Sequence, residues 1–302
     1  MPFRDLAKID GIELFRDLPL APLTTFRIGG RAKIFVRPRR IAALEAALAC
    51  LQDKGVAYKI LGRGSNLLID DKGVEAVISL AALNALRDLV PDESGGSILT
   101  VEAGHGLGRL ISWTSARGLS GLEGLCGIPG SVGGAVKMNA GAGTWCIAHI
   151  LHSVCFTGPG GSCWVSGDRL EYGYRSLEVP SGAVVSMVRL RLFQKERSSI
   201  YSEIRALMKK RTKTQPLGRP SAGCIFKNPP GDSAGRLIDL CGLKGLAVGG
   251  AEVSFIHANF IINRGGASSA DVIGLMDIVK DTVRSITGIE LAPEVAIWGM
   301  RQ

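Results

Sequence analysis

Apolar residues recur along the chain in two rhythms, and the alternation between them outlines the fold. Residues 32–36 form a short apolar run that reads as a strand. Over residues 40–54, Ile41, Leu44, Leu48 and Leu51 fall on one helical face, and Gly55 stands where a helix-ending glycine belongs. Tyr58–Leu61 is again strand-like and leads into Gly62, Arg63, Gly64, Ser65 and Asn66. The spacing predicts a strand–helix–strand unit that ends on a glycine loop. In α/β sheets, ligands gather at the carboxyl ends of strands, where that loop lies.

The pattern continues with a strand at 98–101, a helix near 107–117, a long glycine segment, and strands at 150–156, 163–165 and 184–192. A helix over 200–212 then gives way to a proline-rich stretch at 216–230. Beyond it the sequence predicts a short helix around Leu237, a strand at Phe260–Asn263, and a helix over 271–287 with Ser268 or Ser269 as its cap and Gly288 as its stop. No repeat at a solenoid period is visible. Boundaries near Ile78 and Glu196 divide the chain into 1–78, 79–196 and 197–302, and the class is α+β, that is, mixed α/β.

Length agrees, since 302 residues exceed one ordinary core and imply two or three domains. Hydrophobic residues at 46% and charged residues at 21% are the balance of a folded globular chain. Nothing approaches the roughly 18 consecutive apolar residues of a membrane span. Asp5, Asp10 and Glu13 interrupt the N-terminus where a secretory signal needs an unbroken apolar stretch, so a cytoplasmic protein without membrane insertion is expected.

The seven cysteines are odd in number and include no C-x-x-C, and no H-E-x-x-H occurs, so neither a disulfide framework nor a metal site is expected. A formal charge of +9 points to an anionic partner. The densest basic cluster, Lys209, Lys210, Arg211 and Lys213, lacks the interleaved aromatics of a single-strand binder, and aromatics make up only 6% of the chain. Small anionic ligands are therefore favoured over nucleic acid.

Candidate chemistry concentrates first in residues 118–143, which hold nine glycines in 26 residues, six of them at strict three-residue spacing from Gly118 to Gly133. Glycine at this density lets backbone N–H groups approach a ligand closely, as phosphate oxygens and flavin edges require. Interleaved Leu119, Leu122, Leu125, Ile128 and Val132 argue against a floppy linker. The loop beginning Gly62-Arg63-Gly64 starts a G-x-G-x-x pattern but has Leu67 where a Rossmann fingerprint needs its third glycine. No P-loop and no nucleophile elbow is present. A nucleotide cradle outside those folds is the reading that remains.

Five separate segments carry a resemblance. They are Thr24-Thr25-Phe26-Arg27-Ile28-Gly29-Gly30; Leu61 to Leu68; Gly127-Ile128-Pro129-Gly130-Ser131-Val132-Gly133-Gly134-Ala135 running on to Met138-Asn139-Ala140-Gly141-Ala142; Tyr172-Gly173-Tyr174-Arg175-Ser176; and Ala222-Gly223-Cys224-Ile225-Phe226-Lys227-Asn228-Pro229. With a closing Leu291-Ala292-Pro293-Glu294-Val295, their order and spacing resemble the UDP-N-acetylenolpyruvoylglucosamine reductase (MurB) family from about residue 20 onward. The resemblance implies an FAD-binding fold of the PCMH/vanillyl-alcohol-oxidase type in two parts, 1–78 and 79–196, and a separate α/β domain for the UDP-sugar at 197–302. Between Arg175 and the strand at Val184 there is little room for the tyrosine-bearing insertion of one subtype, so the chain resembles the shorter type II form.

In that family NADPH reduces FAD and leaves. The enolpyruvyl ether of UDP-N-acetylglucosamine then accepts hydride at C3 and a proton at C2, giving UDP-N-acetylmuramate. The resemblance assigns Arg27, Gly29, Gly62, Arg63, Gly64, Ser65, Asn66, Gly127, Pro129, Gly130, Ser131, Gly133, Gly134, Asn139 and Gly141 to FAD, and Tyr174, Lys227, Asn228 and His257 to the UDP-sugar. Arg175 matches the family's arginine, whose fixed cation would stabilise the enolate. Glu294 matches the catalytic glutamate, expected to act as the neutral acid because burial raises a carboxyl pKa.

The third role, proton donor, falls on Cys224, where serine is the commoner family residue. A thiol with an ordinary pKa of about 8.5 is a far stronger acid than an alcohol, and neighbouring Lys227 would lower that value further. A monomer acting on small molecules is expected. An oxidase of the same fold, acting on an alcohol or a sugar lactone, is the alternative. It would not explain why Arg175, Cys224 and Glu294 occur together.

Overall fold

A computed structural model describes residues 4–93, 95–142 and 145–299, with the side chain of Ala142 also outside the description. Gly143, at the end of the glycine-rich run, lies outside these residues. The chain divides into two compact units, one made of 1–16, 34–63 and 75–209, the other of 17–33, 64–74 and 210–302. The division follows packing rather than sequence order, and it falls inside the first glycine loop, between Arg63 and Gly64.

Two sheets organise the first unit. The smaller has the order Ile12–Pro19, Arg31–Pro38, Val74–Ser79, Tyr58–Leu61, with the unit boundary passing through the first three strands. The strand–helix–strand unit is present as Arg31–Pro38, helix Ile41–Asp53 and Tyr58–Leu61. Val74–Ser79 lies between its two strands and pairs in parallel with Tyr58–Leu61, Tyr58 opposite Ala76 and Leu61 opposite Ser79. The larger sheet runs Gly161–Ser166, Leu151–Gly158, Val184–Gln194, Ser97–Glu102, Leu86–Pro91, each neighbour antiparallel.

Leu44, Ala47, Leu48 and Leu51 are buried, as the helical period requires, and they share one apolar core with Val101, Val154, Val188 and Leu190 of the larger sheet. The glycine segment is not all loop. Ser131 caps a helix over Val132–Lys137, accepting the N–H of Gly134. Glycine is a poor helix former, but Gly133 packs where a β-carbon would stand 2.6 Å from that of Ala103, so close packing places the helix against local propensity.

The second unit has its own core, in which Phe26, Ile28 and Leu68 pack with Ile225, Phe226, Leu237, Val272, Leu275, Val279 and Leu291. Its antiparallel sheet runs Ser221–Cys224, Phe260–Asn263, Ala251–Val253, Ala247–Val248. Ala296–Trp298 pairs in parallel with Leu67–Ile69. The helix Ser269–Thr287 is specified at both ends. Ser268 and Asp271 form a reciprocal capping box, and Gly288 closes it with a left-handed φ of 72°.

The helix Arg197–Thr214, whose last turns carry Lys209, Lys210, Arg211 and Lys213, buries only Ile200 among its described residues. Among the described residues no helix is long and apolar enough to cross a membrane.

Candidate active site

In the first unit three segments converge. Strand Tyr58–Leu61 delivers Gly62 to a position where a β-carbon would lie 2.6 Å from Ser131 Oγ, so any larger residue crowds that hydroxyl. Gly106 forms a bridge with Ser131, and a β-carbon on it would meet Arg63 Nη1 at 3.0 Å. Main-chain bonds lock the arrangement: Leu107 N–H donates to Gly130 O at 3.1 Å, Val132 N–H to His105 O at 2.9 Å, and Gly133 N–H to Ala103 O at 2.8 Å.

Gly62, Arg63, Gly130, Ser131, Gly133 and Gly134 are thus brought together, and Ser131 is 2% exposed at their centre. Gly127 and Pro129 are exposed just before them. Arg63 stands exposed beside these close-packed backbones, a fixed cation that suits a phosphate-bearing cofactor. Sequence reasoning missed Gly106, which carries no motif of its own.

Past the same helix come Asn139, with a left-handed φ of 39°, and Gly141. Asn139 commits its carboxamide within the protein, donating to Gly173 O at 3.2 Å and accepting from Ala148 N–H at 3.4 Å. Gly173 opens the hairpin of Tyr172–Gly173 and Ser176–Leu177, whose two-residue turn is Tyr174 and Arg175. Tyr174 is 55% exposed. Arg175 is half-buried, holds a φ of 57°, stacks over the Tyr174 ring at 5.5 Å and donates from Nη1 to Gly141 O at 3.0 Å.

In the second unit the loops at 24–30 and 64–66 meet the strand that carries Cys224. Thr25 takes its main-chain N–H to Gly64 O at 3.0 Å and its hydroxyl to Ser221 O at 2.7 Å. Arg27 sits at a φ of 58° with its N–H on Thr24 Oγ1 at 3.0 Å, and Gly29 packs against Ile69. Asn66 donates from Nδ2 to the carbonyl of Glu294 at 3.2 Å and accepts the N–H of Ala296 at 3.1 Å. Ser65 stands half-buried between Gly64 and Asn66.

Cys224 pairs with Phe260 across an irregular register and is half-buried. The next residue, Ile225, accepts the N–H of Glu294 at 2.7 Å, and Lys227 N–H reaches Ala292 O at 2.8 Å. Cys224 and Glu294 therefore stand on adjacent, directly bonded segments. Asn259, 2% exposed, completes the lock: its Oδ1 accepts Phe226 N–H at 2.9 Å and its Nδ2 donates to Phe226 O at 2.8 Å. Nothing in the sequence had marked Asn259.

Among the UDP-sugar residues, Lys227 and Asn228 are exposed, and Asn228 Oδ1 accepts the N–H of Ala234 at the start of helix Ala234–Leu240. His257 is used internally. Its Nδ1 accepts the Asn259 N–H at 3.2 Å and its ring lies 4.9 Å from that of Phe260. Burial, and then the charge of Lys244, lowers its pKa, which keeps the ring neutral with the proton on Nε2. No group of three or more His, Cys, Asp or Glu suited to a metal ion occurs among the described residues.

Two protein families match in sequence. Residues 215–298 match the UDP-N-acetylenolpyruvoylglucosamine reductase C-terminal domain, and residues 32–165 match an FAD-binding domain. A UDP-N-acetylenolpyruvoylglucosamine reductase of Syntrophotalea carbinolica is 43% identical over 281 residues, 93% of each chain. One from Myxococcus xanthus is 41% identical over 297 residues, 96% of this chain and 94% of its own. The crystal structure of the Thermus caldophilus reductase, 38% identical, superposes with a TM-score of 0.80 over 95% of this chain and 99% of that one.

Proposed function

The chain belongs to the UDP-N-acetylenolpyruvoylglucosamine reductase family, and from that membership we propose which of its residues carry the reaction. It is an FAD-dependent oxidoreductase that uses NADPH to reduce the enolpyruvyl ether of UDP-N-acetylglucosamine to UDP-N-acetylmuramate, in peptidoglycan synthesis. FAD, when bound, would supply the hydride relay between NADPH and C3 of the enolpyruvyl group.

For the cofactor we assign Gly62, Arg63, Gly127, Pro129, Gly130, Ser131, Gly133, Gly134 and Gly141 in the first unit, and Arg27, Gly29, Gly64, Ser65 and Asn66 in the second. Asn139 enters this set through its main chain, because its carboxamide is committed to Gly173 and Ala148. The close approach at Gly62 supports the assignment. In this reading 1–78 and 79–196 serve the flavin and 197–302 the nucleotide sugar.

As hydride arrives at C3, negative charge develops at C2 and on the adjoining carboxylate. The Arg175 guanidinium stabilises it, and Glu294 shares a proton with the carboxylate oxygen. The Cys224 thiol then donates its proton from Sγ to C2, and bulk water restores it. Tyr174, Lys227 and Asn228 bind the nucleotide sugar. His257 is kept in this set through Nε2–H, the ring atom left for a ligand once Nδ1 serves Asn259.

The observation that carries the residue assignment is the direct bond from Glu294 N–H to the residue after Cys224. The same reading makes the protein a cytoplasmic monomer that serves cell-wall biogenesis, cell shape and division. Its test is product analysis under anaerobic conditions. One UDP-N-acetylmuramate should form per NADPH consumed, and consumption of oxygen with an alcohol or lactone in place of the nucleotide would contradict it.

A further inference from the structure

The turn that presents Arg175 does not hold itself together. Its hairpin has two residue pairs, Tyr172 with Leu177 and Gly173 with Ser176, extended only by Glu178 N–H to Glu171 O at 3.1 Å, short of what a hairpin needs to be stable alone. Arg175 also occupies a left-handed φ of 57°, which disfavours any residue with a β-carbon. Among the described residues, these bonds tie the hairpin to residues 137–141. Lys137 Nζ donates to Leu177 O at 2.9 Å, Asn139 Nδ2 to Gly173 O at 3.2 Å, and Arg175 Nη1 to Gly141 O at 3.0 Å.

Lys137 is the last residue of the helix Val132–Lys137, whose cap, Ser131, closes on Gly62 and Gly106. One short rigid element thus runs from the glycine cradle to the arginine turn. We propose that Lys137 is a positioning residue for Arg175: its ammonium, with the Asn139 carboxamide, straps the hairpin and fixes the guanidinium for the hydride-accepting half of the reaction. The role rests on the reading of Arg175 given above. Lys137 touches no reacting atom, and an exposed lysine on a main-chain carbonyl leaves no motif in the sequence.

The test compares Lys137→Met, which keeps the aliphatic stem and removes the donor, with Lys137→Arg, which keeps a donor. Both are made in the full, FAD-loaded chain. Lys137→Met should bind FAD and be reduced by NADPH within about twofold of the parent rate, yet be reoxidised by the enolpyruvyl nucleotide about tenfold more slowly, because misplacing a catalytic group slows the step it serves.

Amide hydrogen exchange at residues 172–177 should quicken in Lys137→Met and return toward the parent rate in Lys137→Arg. Unchanged reoxidation, equal slowing of both half-reactions, or unchanged exchange would each overturn the strap. A parent protein that the nucleotide fails to reoxidise would instead overturn the functional reading beneath it.

Discussion

Glu294 donates its main-chain N–H to the carbonyl of Ile225 at 2.7 Å. Ile225 follows Cys224 directly, and Phe226 forms a bridge with Pro293, so the thiol and the carboxyl are set by one stretch of backbone pairing. That pairing uses main-chain atoms, so a side-chain substitution at either position leaves these bonds in place.

Cys224 is therefore a suitable target. Cys224→Ser keeps a proton on a side chain of similar size and should retain substantial turnover. Cys224→Ala should leave flavin reduction by NADPH intact and slow reoxidation by the enolpyruvyl nucleotide by about 100-fold or more, the usual contribution of a general acid. Stopped-flow traces of the two half-reactions separate the outcomes. Normal reoxidation in Cys224→Ala would remove the thiol from the mechanism.

Asn259 carries the backbone of Phe226. Asn259→Ala leaves a buried N–H and a buried C=O without their partners, which costs about 2–4 kcal/mol. Urea unfolding should show that loss. A change below about 0.5 kcal/mol would mean that water or a rearranged main chain takes over both bonds.

The close approach at Gly62 makes a non-additive prediction. A β-carbon there meets Ser131 Oγ at 2.6 Å but Ser131 Cβ at an ordinary 3.8 Å. Gly62→Ala should therefore lower both stability and FAD affinity. Adding Ser131→Ala removes the clashing oxygen at the cost of a helix cap worth about 1 kcal/mol. The double variant should then be no less stable than Gly62→Ala. Simple additivity in a thermal-unfolding cycle would show that the two positions do not touch.

His257 supplies a pH dependence. Burial and Lys244 hold its pKa below the ordinary 6.5, so the folded ring is neutral where the unfolded ring binds a proton. The unfolded state takes up more protons in that window, and stability falls as the pH drops below 6.5 until the folded ring protonates as well. Between about pH 7.5 and about pH 5, the urea midpoint of the parent should fall further than that of His257→Gln. Parallel curves would refute the assignment.

How much of this was legible in the sequence depends on where each interaction leaves its mark. The helix Ser269–Thr287 was readable because Ser268 and Gly288 write its ends in residue types with a local mechanism. The strands Tyr58–Leu61 and Phe260–Asn263 were readable as compact apolar runs. By contrast, Leu86–Pro91 is an edge strand that is mostly exposed, so no alternation marks it. Ser221–Cys224 hid inside a proline-rich stretch. The helix Val132–Lys137 runs against glycine's propensity and is fixed by contact with Ala103. Arg175, Cys224 and Glu294 were named through family motifs. Asn259, Gly106 and Lys137 act on main-chain atoms distant in sequence, where any acceptor carbonyl looks like any other.

This chain moves hydride from NADPH through FAD to an enolpyruvyl nucleotide sugar, and one anaerobic cuvette tests it. The purified yellow protein should lose its visible flavin absorbance on adding NADPH, and the band should return on adding the enolpyruvyl ether of UDP-N-acetylglucosamine. A band that bleaches with NADPH and stays bleached with the nucleotide would show that the chain does not reduce the enolpyruvyl ether.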